Sequence, residues 1–222
     1  MRKKIIVVLA ILFVLVSGGS YCTTKWIEHQ NSPYNVSDVL DDKGVKLYKR
    51  GFRLLEEQLA TYIKEHYSGV SKIEFSPIFV QGGDGQTMFG ASIIAAITDS
   101  NGNKTYLGKK IGETTYAAYG DSWDLLLGFD GATGEEAIDL RIDENTTVEM
   151  SNHKHLPEFA KLSSLPKLDK NIEVLIQDGQ LKGVKKSESG SPKAKIEYNL
   201  EIRRGSYSEW KCSLIKQRNL FL

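Results

Sequence analysis

Cysteine is scarce in this sequence, which has only two among 222 residues, Cys22 and Cys212. A domain of this size buries enough apolar surface to fold without a disulfide. A bridge would require the two Cα atoms to lie within about 7 Å of each other. The sequence therefore favours two unpaired thiols and leaves their pairing open.

An excess of charge of one sign is also lacking, because 29 basic residues face 28 acidic ones and the net charge is +1. This balance argues against a nucleic-acid-binding protein, which would present a basic surface. Hydrophobic residues make up 41% of the chain and charged residues 26%, as expected of a folded globular protein. The length indicates one domain with an appendage.

Motifs for catalysis or metal binding are missing. Residues 99–103 begin like a calcium loop, but glycine stands fourth instead of sixth and Lys110 occupies the place of the bidentate glutamate. His153 and His155 lack a third ligand at a recognisable spacing. The glycine-rich residues 82–85 lack the Lys-Ser/Thr of a phosphate-binding loop, and no Gly-x-Ser-x-Gly elbow occurs. We therefore expect a protein that is not an enzyme and has no cofactor or metal.

One long apolar run is present, at residues 5–16, directly after a basic start. Its length suits a signal peptide better than a full membrane span of about 20 residues, and the basic start places the terminus inside. Cleavage and retention are both open, although the absence of an Ala-x-Ala-like site favours retention. We assign residues 1–21 to a signal anchor or signal peptide, 22–44 to a tether and 45–222 to an extracytoplasmic domain.

A long amphipathic helix is predicted from about residue 45 to 67. Charged residues, including Arg53, Glu56 and Glu57, are expected on its solvent face. Gly69 is typical of a helix stop. The apolar residues recur at steps of three and four, which indicates packing on one face of a sheet: Tyr48, Phe52, Leu55, Leu59, Tyr62 and Ile63.

The remaining sequence favours strands joined by short turns, and hence an α+β fold. In this fold an N-terminal hydrophobic helix precedes one long amphipathic helix packed on a mostly antiparallel β-sheet. Asn101-Gly102 and Asp178-Gly179 are typical hairpin turns. A short helix is expected at 155–165, ended by Pro166. Strands are predicted near residues 73–80, 88–98, 104–111, 123–129, 137–143, 172–176, 181–184, 195–203 and 210–214.

Tyrosines alternate with acidic residues between positions 106 and 136. Tyr and Trp are frequent at protein interfaces, because they bury a large area with few rotatable bonds. A calcium ion or a cationic partner would suit the acids, whereas solvated turns are the structural alternative. Trp123 is expected in the core. We predict that a partner protein contacts Tyr106, Tyr116, Tyr119, Asp121, Asp124 and Asp130.

Two stretches in this layout resemble a known family. Residues 47–59 read LYKRGFRLLEEQL and residues 73–80 read IEFSPIFV, after a hydrophobic start and before a sheet-rich remainder. The arrangement resembles the TipC family of streptococcal immunity proteins. The resemblance implies a protein on the outer face of the membrane that neutralises a TelC-type toxin, an LXG protein exported by type VII secretion that degrades lipid II. It implies a protein partner and no nucleic acid, and no site residue can be carried over from the family.

Two other functions fit the same sequence. A cell-envelope binding or assembly accessory module would also lack catalytic residues, and it predicts a ligand-sized apolar pocket. An extracytoplasmic hydrolase assembled from distant residues predicts acids or a histidine with shifted pKa values inside a cleft.

Overall fold

The computed structural model describes residues 32–83, 87–108, 110–111, 114–115 and 118–212. The hydrophobic start, residues 22–31 of the predicted tether and Tyr116 lie outside the described residues. Cys212 is exposed and Cys22 is outside this range, so their pairing stays open. In the described part of the chain, no helix combines the length and the apolar character that crossing a membrane requires.

The long helix is confirmed as α1 (Asp42–His66). It begins three residues before the predicted start, because the Asp41 carboxylate accepts a hydrogen bond from the Gly44 amide at 2.7 Å and caps the first turn. A second helix, α2, spans Pro166–Gln177. A single 3₁₀ turn covers Glu158–Ala160, and residues 207–212 are helical.

The described strands are short and numerous. In chain order they are β1 (Tyr67–Ser68), β2 (Val70–Phe75), β3 (Ile78–Gln81), β4 (Gly90–Ile93), β5 (Ala95–Asp99), β6 (Lys104–Tyr106), β7 (Lys110–Ile111), β8 (Thr114–Thr115), β9 (Tyr119–Gly120), β10 (Leu125–Phe129), β11 (Glu136–Arg141), β12 (Thr147–Glu149), β13 (Lys185–Lys186), β14 (Lys195–Glu197) and β15 (Ile202–Arg204). The fold is therefore α+β, as predicted.

The central sheet consists of two four-stranded halves, ordered β14-β2-β5-β6 and β15-β3-β4-β9. Strand β2 continues into β3, β4 into β5 and β14 into β15 after short breaks, so the halves form one bent sheet. At the bend, Ser76 and Ile94 exchange two hydrogen bonds of 2.9 Å, one through the serine hydroxyl. Most pairs are antiparallel, as expected, but β14 and β15 pair in parallel with β2 and β3.

A separate antiparallel sheet has the order β10-β11-β12 and packs on α1. The predicted pairing of residues 123–129 with 137–143 is confirmed by the β10–β11 register. Gly51 of α1 allows the close approach, because a Cβ atom at this position would overlap the Leu127 side chain. The glycine that costs helix stability thus brings helix and sheet together.

The expected solvent face of α1 is wrong at Glu56 and Glu57, whereas Lys49 and Glu65 are exposed as predicted. Glu56 and Glu57 are buried, because the loops that contain Asn199 and Leu156 cover them. The Glu57 carboxylate accepts a hydrogen bond from the Leu156 amide at 2.6 Å, and the Glu56 carboxylate accepts longer ones from the Asn199 amide. Burial raises the pKa of Glu56 to about 9. These carboxyls hold loops against the helix.

Predictions near the C-terminus also fail. Residues 172–176 belong to α2, because Leu168, Ile172 and Leu175 follow a helical spacing and point into the core. Pro166 begins this helix at N1, where its missing amide costs nothing, and the predicted helix at 155–165 shrinks to one 3₁₀ turn. The expected strand at 195–203 is divided into β14 and β15.

The last predicted strand, at 210–214, is wrong over its described residues, because 207–212 are helical. Tyr207 and Trp210 lie 6.4 and 5.9 Å from the Phe79 ring, measured between ring centroids. Phe79 sits on the side of β3 that faces away from the core of Ile78 and Val80, so this helical segment covers the central sheet.

Candidate functional site

The strongest concentration of charge lies in residues 121–151, which contain β10, β11, β12 and their turns. We call this segment the acidic sheet. It holds one basic residue, Arg141, and has a net charge of −8, although the whole chain has +1. Its carboxylates are Asp121, Asp124, Asp130, Glu135, Glu136, Asp139, Asp143, Glu144 and Glu149.

The register of the strands places Leu126, Asp139 and Glu149 in one row across the acidic sheet. Ile138 and Leu140 on either side of Asp139 are fully buried, so this row lies on the outer face. Like charges directly opposite each other weaken a sheet. Asp139 and Glu149 form such a pair, and no described lysine or arginine makes an ion pair with either carboxylate.

The pKa values of this pair differ because their surroundings differ. Partial burial, and then the charge of Glu149, raises the pKa of Asp139. Hydrogen bonds from Ser151 lower the pKa of Glu149, whose carboxylate accepts from the Ser151 amide at 2.6 Å. Glu149 thus holds its negative charge firmly beside a neighbour of the same sign.

The turn before β10 exposes Trp123, which has 77% of its surface area accessible. The Asp121 carboxylate accepts hydrogen bonds from the Ala91 amide at 2.8 Å and the Tyr48 hydroxyl at 3.2 Å. The Asp124 carboxylate accepts one from a backbone amide four residues earlier at 2.9 Å. Burial raises the pKa of both carboxyls. These two predicted interface residues therefore position the turn, and the expectation that Trp123 is in the core is wrong.

The other end of β10 also carries an exposed aromatic ring. Phe129 is 43% exposed, and the neighbouring Asp130 carboxylate accepts hydrogen bonds from the Ala132 and Thr133 amides at 2.9 and 2.6 Å. Hydrogen bonds from Thr133 and Ala132 lower the pKa of Asp130, so it stays ionised in the turn. With Leu126 at 41% exposed, this strand presents apolar surface among the acids.

Neither of the two predicted tyrosines that the structure describes forms an exposed part of this surface. Tyr106 lies on β6 of the central sheet, with its ring centroid 5.6 Å from that of Tyr207 and 6.0 Å from that of Trp210. Tyr119 is 2% exposed, so burial removes it from the set of surface contacts. Tyr116 lies outside the described residues. The structure thus places Asp121, Asp124 and the buried Tyr119 near one end of β10, Asp130 at its other end, and Tyr106 on the central sheet.

Several surface residues were missed by sequence reasoning. The alternation of Ile138 and Leu140 already placed Asp139 outward, but its opposition to Glu149 required β12, which was not predicted. Trp123 and Phe129 could be placed at the surface only from the bounds of β10. Local sequence signals therefore found the acidic composition but not the pairing of the charges.

A cleft of about 430 Å³ adjoins the acidic sheet, between α1, the turn after β11 and the segment that leads into α2. Its lining is largely apolar and includes Leu55, Leu59, Tyr119, Ile142, Leu162 and Leu165. Asp124, Arg141, Asp143, Glu144 and Lys167 supply its charged groups. A volume of this size suits a small ligand.

Metal coordination finds no support in the described part of the chain, where no cluster of three or more His, Cys, Asp or Glu side chains is arranged to hold an ion. The acids of the acidic sheet are distributed across three strands and their turns instead.

Comparison with known proteins does not identify a family. No protein-family model matches the sequence, no curated protein matches it, and no solved structure matches the chain.

Proposed function

We propose that this chain is an extracytoplasmic, membrane-anchored immunity protein that binds and blocks a type VII-secreted toxin that degrades lipid II. The observation that carries the proposal is the outer face of the acidic sheet. There the Asp139–Glu149 pair has no basic neighbour in ion-pair contact among the described residues, Leu126 is exposed in the same row, and Trp123 is exposed in the turn before β10.

Unpaired acids of this kind favour a cationic partner. A basic surface placed against Asp139 and Glu149 would remove the repulsion between them, and opposite surface potentials accelerate encounter between proteins. Exposed aromatic rings supply the buried contacts that hold such a complex together. Charge would therefore guide the partner, while Trp123 and Leu126 anchor it.

The chemistry of the toxin's substrate also favours an acidic surface on the inhibitor. Lipid II carries a diphosphate, so an enzyme that cleaves it needs cationic side chains or a metal ion at its substrate entrance. An acidic inhibitor surface is complementary to such an entrance. Blocking it requires binding alone, which agrees with the lack of a catalytic motif in the sequence.

The location predicted from the N-terminal sequence also supports the proposal. Residues 2–4 are basic and residues 5–16 are apolar, which predicts export of the following domain to the outer side of the membrane. A toxin that attacks lipid II there would meet the inhibitor at its site of action. The resemblance of residues 47–59 and 73–80 to the TipC family points to the same class of protein.

The decisive experiment is an inhibition titration. The full chain in nanodiscs is added to the catalytic domain of the cognate toxin while release of the phosphate-containing product from lipid II is followed. We expect inhibition that is complete at a one-to-one ratio, with a dissociation constant on the order of nanomolar. Full toxin activity in the presence of excess folded protein contradicts the proposal.

A second candidate is favoured by the cleft beside the acidic sheet. A cell-envelope binding or assembly accessory module requires a ligand-sized apolar pocket, and the cleft has that size and lining. Under this function, substitutions within the cleft would abolish the biological role, whereas charge reversal at Asp139 and Glu149 would leave it intact. The two functions thus predict opposite outcomes for the same pair of variants.

A further inference from the structure

We propose that the cleft between α1, the turn after β11 and the segment leading into α2 binds a small amphiphilic amine, with a primary ammonium group on a hydrocarbon stem. The proposal concerns the cleft alone and does not depend on toxin binding.

The walls of the cleft match a hydrocarbon stem. Leu55 and Leu59 lie one helical turn apart on α1 and form one wall, and Leu162 and Leu165 approach from the segment before α2. These side chains belong to the core or pack against it, so their positions are fixed. An alkyl chain placed between them would gain about 25 cal/mol for each Å² of apolar surface removed from water.

The polar end of the cleft is set by Asp124. One oxygen, Oδ2, accepts the backbone hydrogen bond that holds the turn before β10. The hydrogen bonds among the described residues include none to the other oxygen, Oδ1. A half-buried carboxylate with one oxygen that accepts no hydrogen bond from the described residues, beside an apolar wall, is suited to an ammonium group.

The balance of charge in the cleft favours a cation over an anion. Three carboxylates, from Asp124, Asp143 and Glu144, face two cations. The Arg141 guanidinium donates to the backbone carbonyls of Trp123 and Glu144, the latter at 2.7 Å.

The Lys167 ammonium also has partners within the protein. Its ammonium donates to the Ala118 carbonyl at 3.2 Å and lies 4.8 Å from the centroid of the Tyr119 ring. Both basic side chains of the cleft therefore have backbone partners, while the Asp124 carboxylate keeps acceptor capacity for a ligand.

The test compares three probes that share a six-carbon chain: hexylammonium, hexanol and hexanoate. Leucine methyl NMR spectra of the full chain in nanodiscs report on Leu55, Leu59, Leu162 and Leu165 directly. We expect hexylammonium to shift these methyl signals with a dissociation constant on the order of 1 mM. Hexanol should bind about tenfold more weakly, because it lacks the charge, and hexanoate should cause no shift.

Variants assign the charge preference to one side chain. Asp124→Asn can still accept the backbone hydrogen bond of the turn, and it should weaken hexylammonium binding at least about fivefold while leaving hexanol unchanged. Asp130→Asn removes an exposed carboxylate outside the cleft and is the matched control, with no expected effect. Nanodiscs of identical composition in every sample account for partition of the probes into lipid.

Each contrary result overturns the proposal. Equal or tighter binding of hexanoate would show that Lys167 and Arg141 set the polarity of the cleft. An absence of methyl shifts with all three probes would show that the cleft is closed to such ligands. Tighter binding of N-acetyl-lysine methylamide than of hexylammonium would assign the cleft to a protein side chain and exclude the free amine. The comparison of the three probes needs no variant, so it holds even if Asp124→Asn fails to fold.

Discussion

Two sheets in this molecule have charged residues on their outer faces. The charges of the central sheet form ion pairs, whereas like charges face each other on the acidic sheet. On the central sheet, Lys72 pairs with Glu74 at 3.2 Å and with Glu197 at 2.7 Å, and Lys104 pairs with Glu74 at 2.9 Å. Every member of this network has an opposite charge within reach. Such pairs contribute modestly to stability and keep the face soluble.

The acidic sheet has no such arrangement. Asp139 faces Glu149 across the strands, and the one basic residue, Arg141, donates to backbone carbonyls. Glu136 is satisfied from outside the sheet by an ion pair with Arg50 of α1. The contrast shows paired charge on the central sheet and an unpaired like-charged pair on the acidic sheet, and the proposed partner would supply the missing opposite charge.

Charge reversal on the acidic sheet should have the largest effect. The double variant Asp139→Lys, Glu149→Lys should weaken toxin binding at least about 100-fold, because it replaces two attractive contacts with repulsive ones. Isothermal titration calorimetry with the toxin's catalytic domain measures the change. Glu188→Lys alters an exposed glutamate outside the acidic sheet and is the matched control. Equal affinities of the double variant and the control would show that Asp139 and Glu149 do not contact the toxin.

A buried acid without an ion pair among the described residues, Glu56, tests whether the lack of an opposite charge always implies function. Burial raises the pKa of Glu56 from 4.5 to about 9, so the folded protein retains a proton that the unfolded chain releases. Its stabilising effect is fully present below pH 4.5 and declines as the pH rises towards 9. Glu56→Gln should therefore raise the free energy of unfolding at pH 8 by about 2 kcal/mol and change it little at pH 4.5.

Urea unfolding of both proteins at the two pH values measures this dependence. Glu65→Gln on the same helix removes a carboxylate that pairs with Lys161 at the surface, and it should change stability by less than about 0.5 kcal/mol. A stability gap between wild type and Glu56→Gln that is equal at both pH values would show that Glu56 is not protonated in the folded protein.

The elements that could be predicted from the sequence are those whose signal is local. The spacing of Phe52, Leu55 and Leu59 predicted α1, and the turn at Asn101-Gly102 predicted the β5–β6 pair, which the structure confirms. Helix α2 was missed because Asp178-Gly179 was interpreted as a hairpin turn, although it follows the end of a helix. The burial of Glu56 depends on Asn199, 143 residues away, and no local pattern contains it.

The same distinction applies to the candidate site. The acids at 121, 124 and 130 could be recognised from composition, but whether they were free or engaged depended on contacts such as that between Asp121 and Ala91. The like-charged pair across β11 and β12 required the register of a strand only three residues long. Composition thus predicts where charge accumulates, and only the pairing of strands shows which charges lack a partner.

A reversal within the paired network of the central sheet should have a smaller effect, and on stability alone. Glu74→Lys would place three cations together and lower the free energy of unfolding by about 1 kcal/mol. Toxin binding should stay at the wild-type level, because the face is not part of the proposed contact. Thermal unfolding and calorimetry on one sample separate the two quantities. A loss of binding with normal stability would assign the contact to the wrong sheet.

The smallest effect sharpens the comparison most, because it predicts opposite signs for two measurements. Asp139→Lys alone converts a like-charged cross-strand pair with Glu149 into an opposite-charged one and should raise the free energy of unfolding by about 0.5 kcal/mol. The same change should weaken toxin binding several-fold. A residue kept for stability cannot behave in this way, since its replacement would lower stability. If Asp139→Lys instead destabilises the protein and leaves binding intact, the acidic pair belongs to the fold, and the outer face of this sheet is not the contact surface.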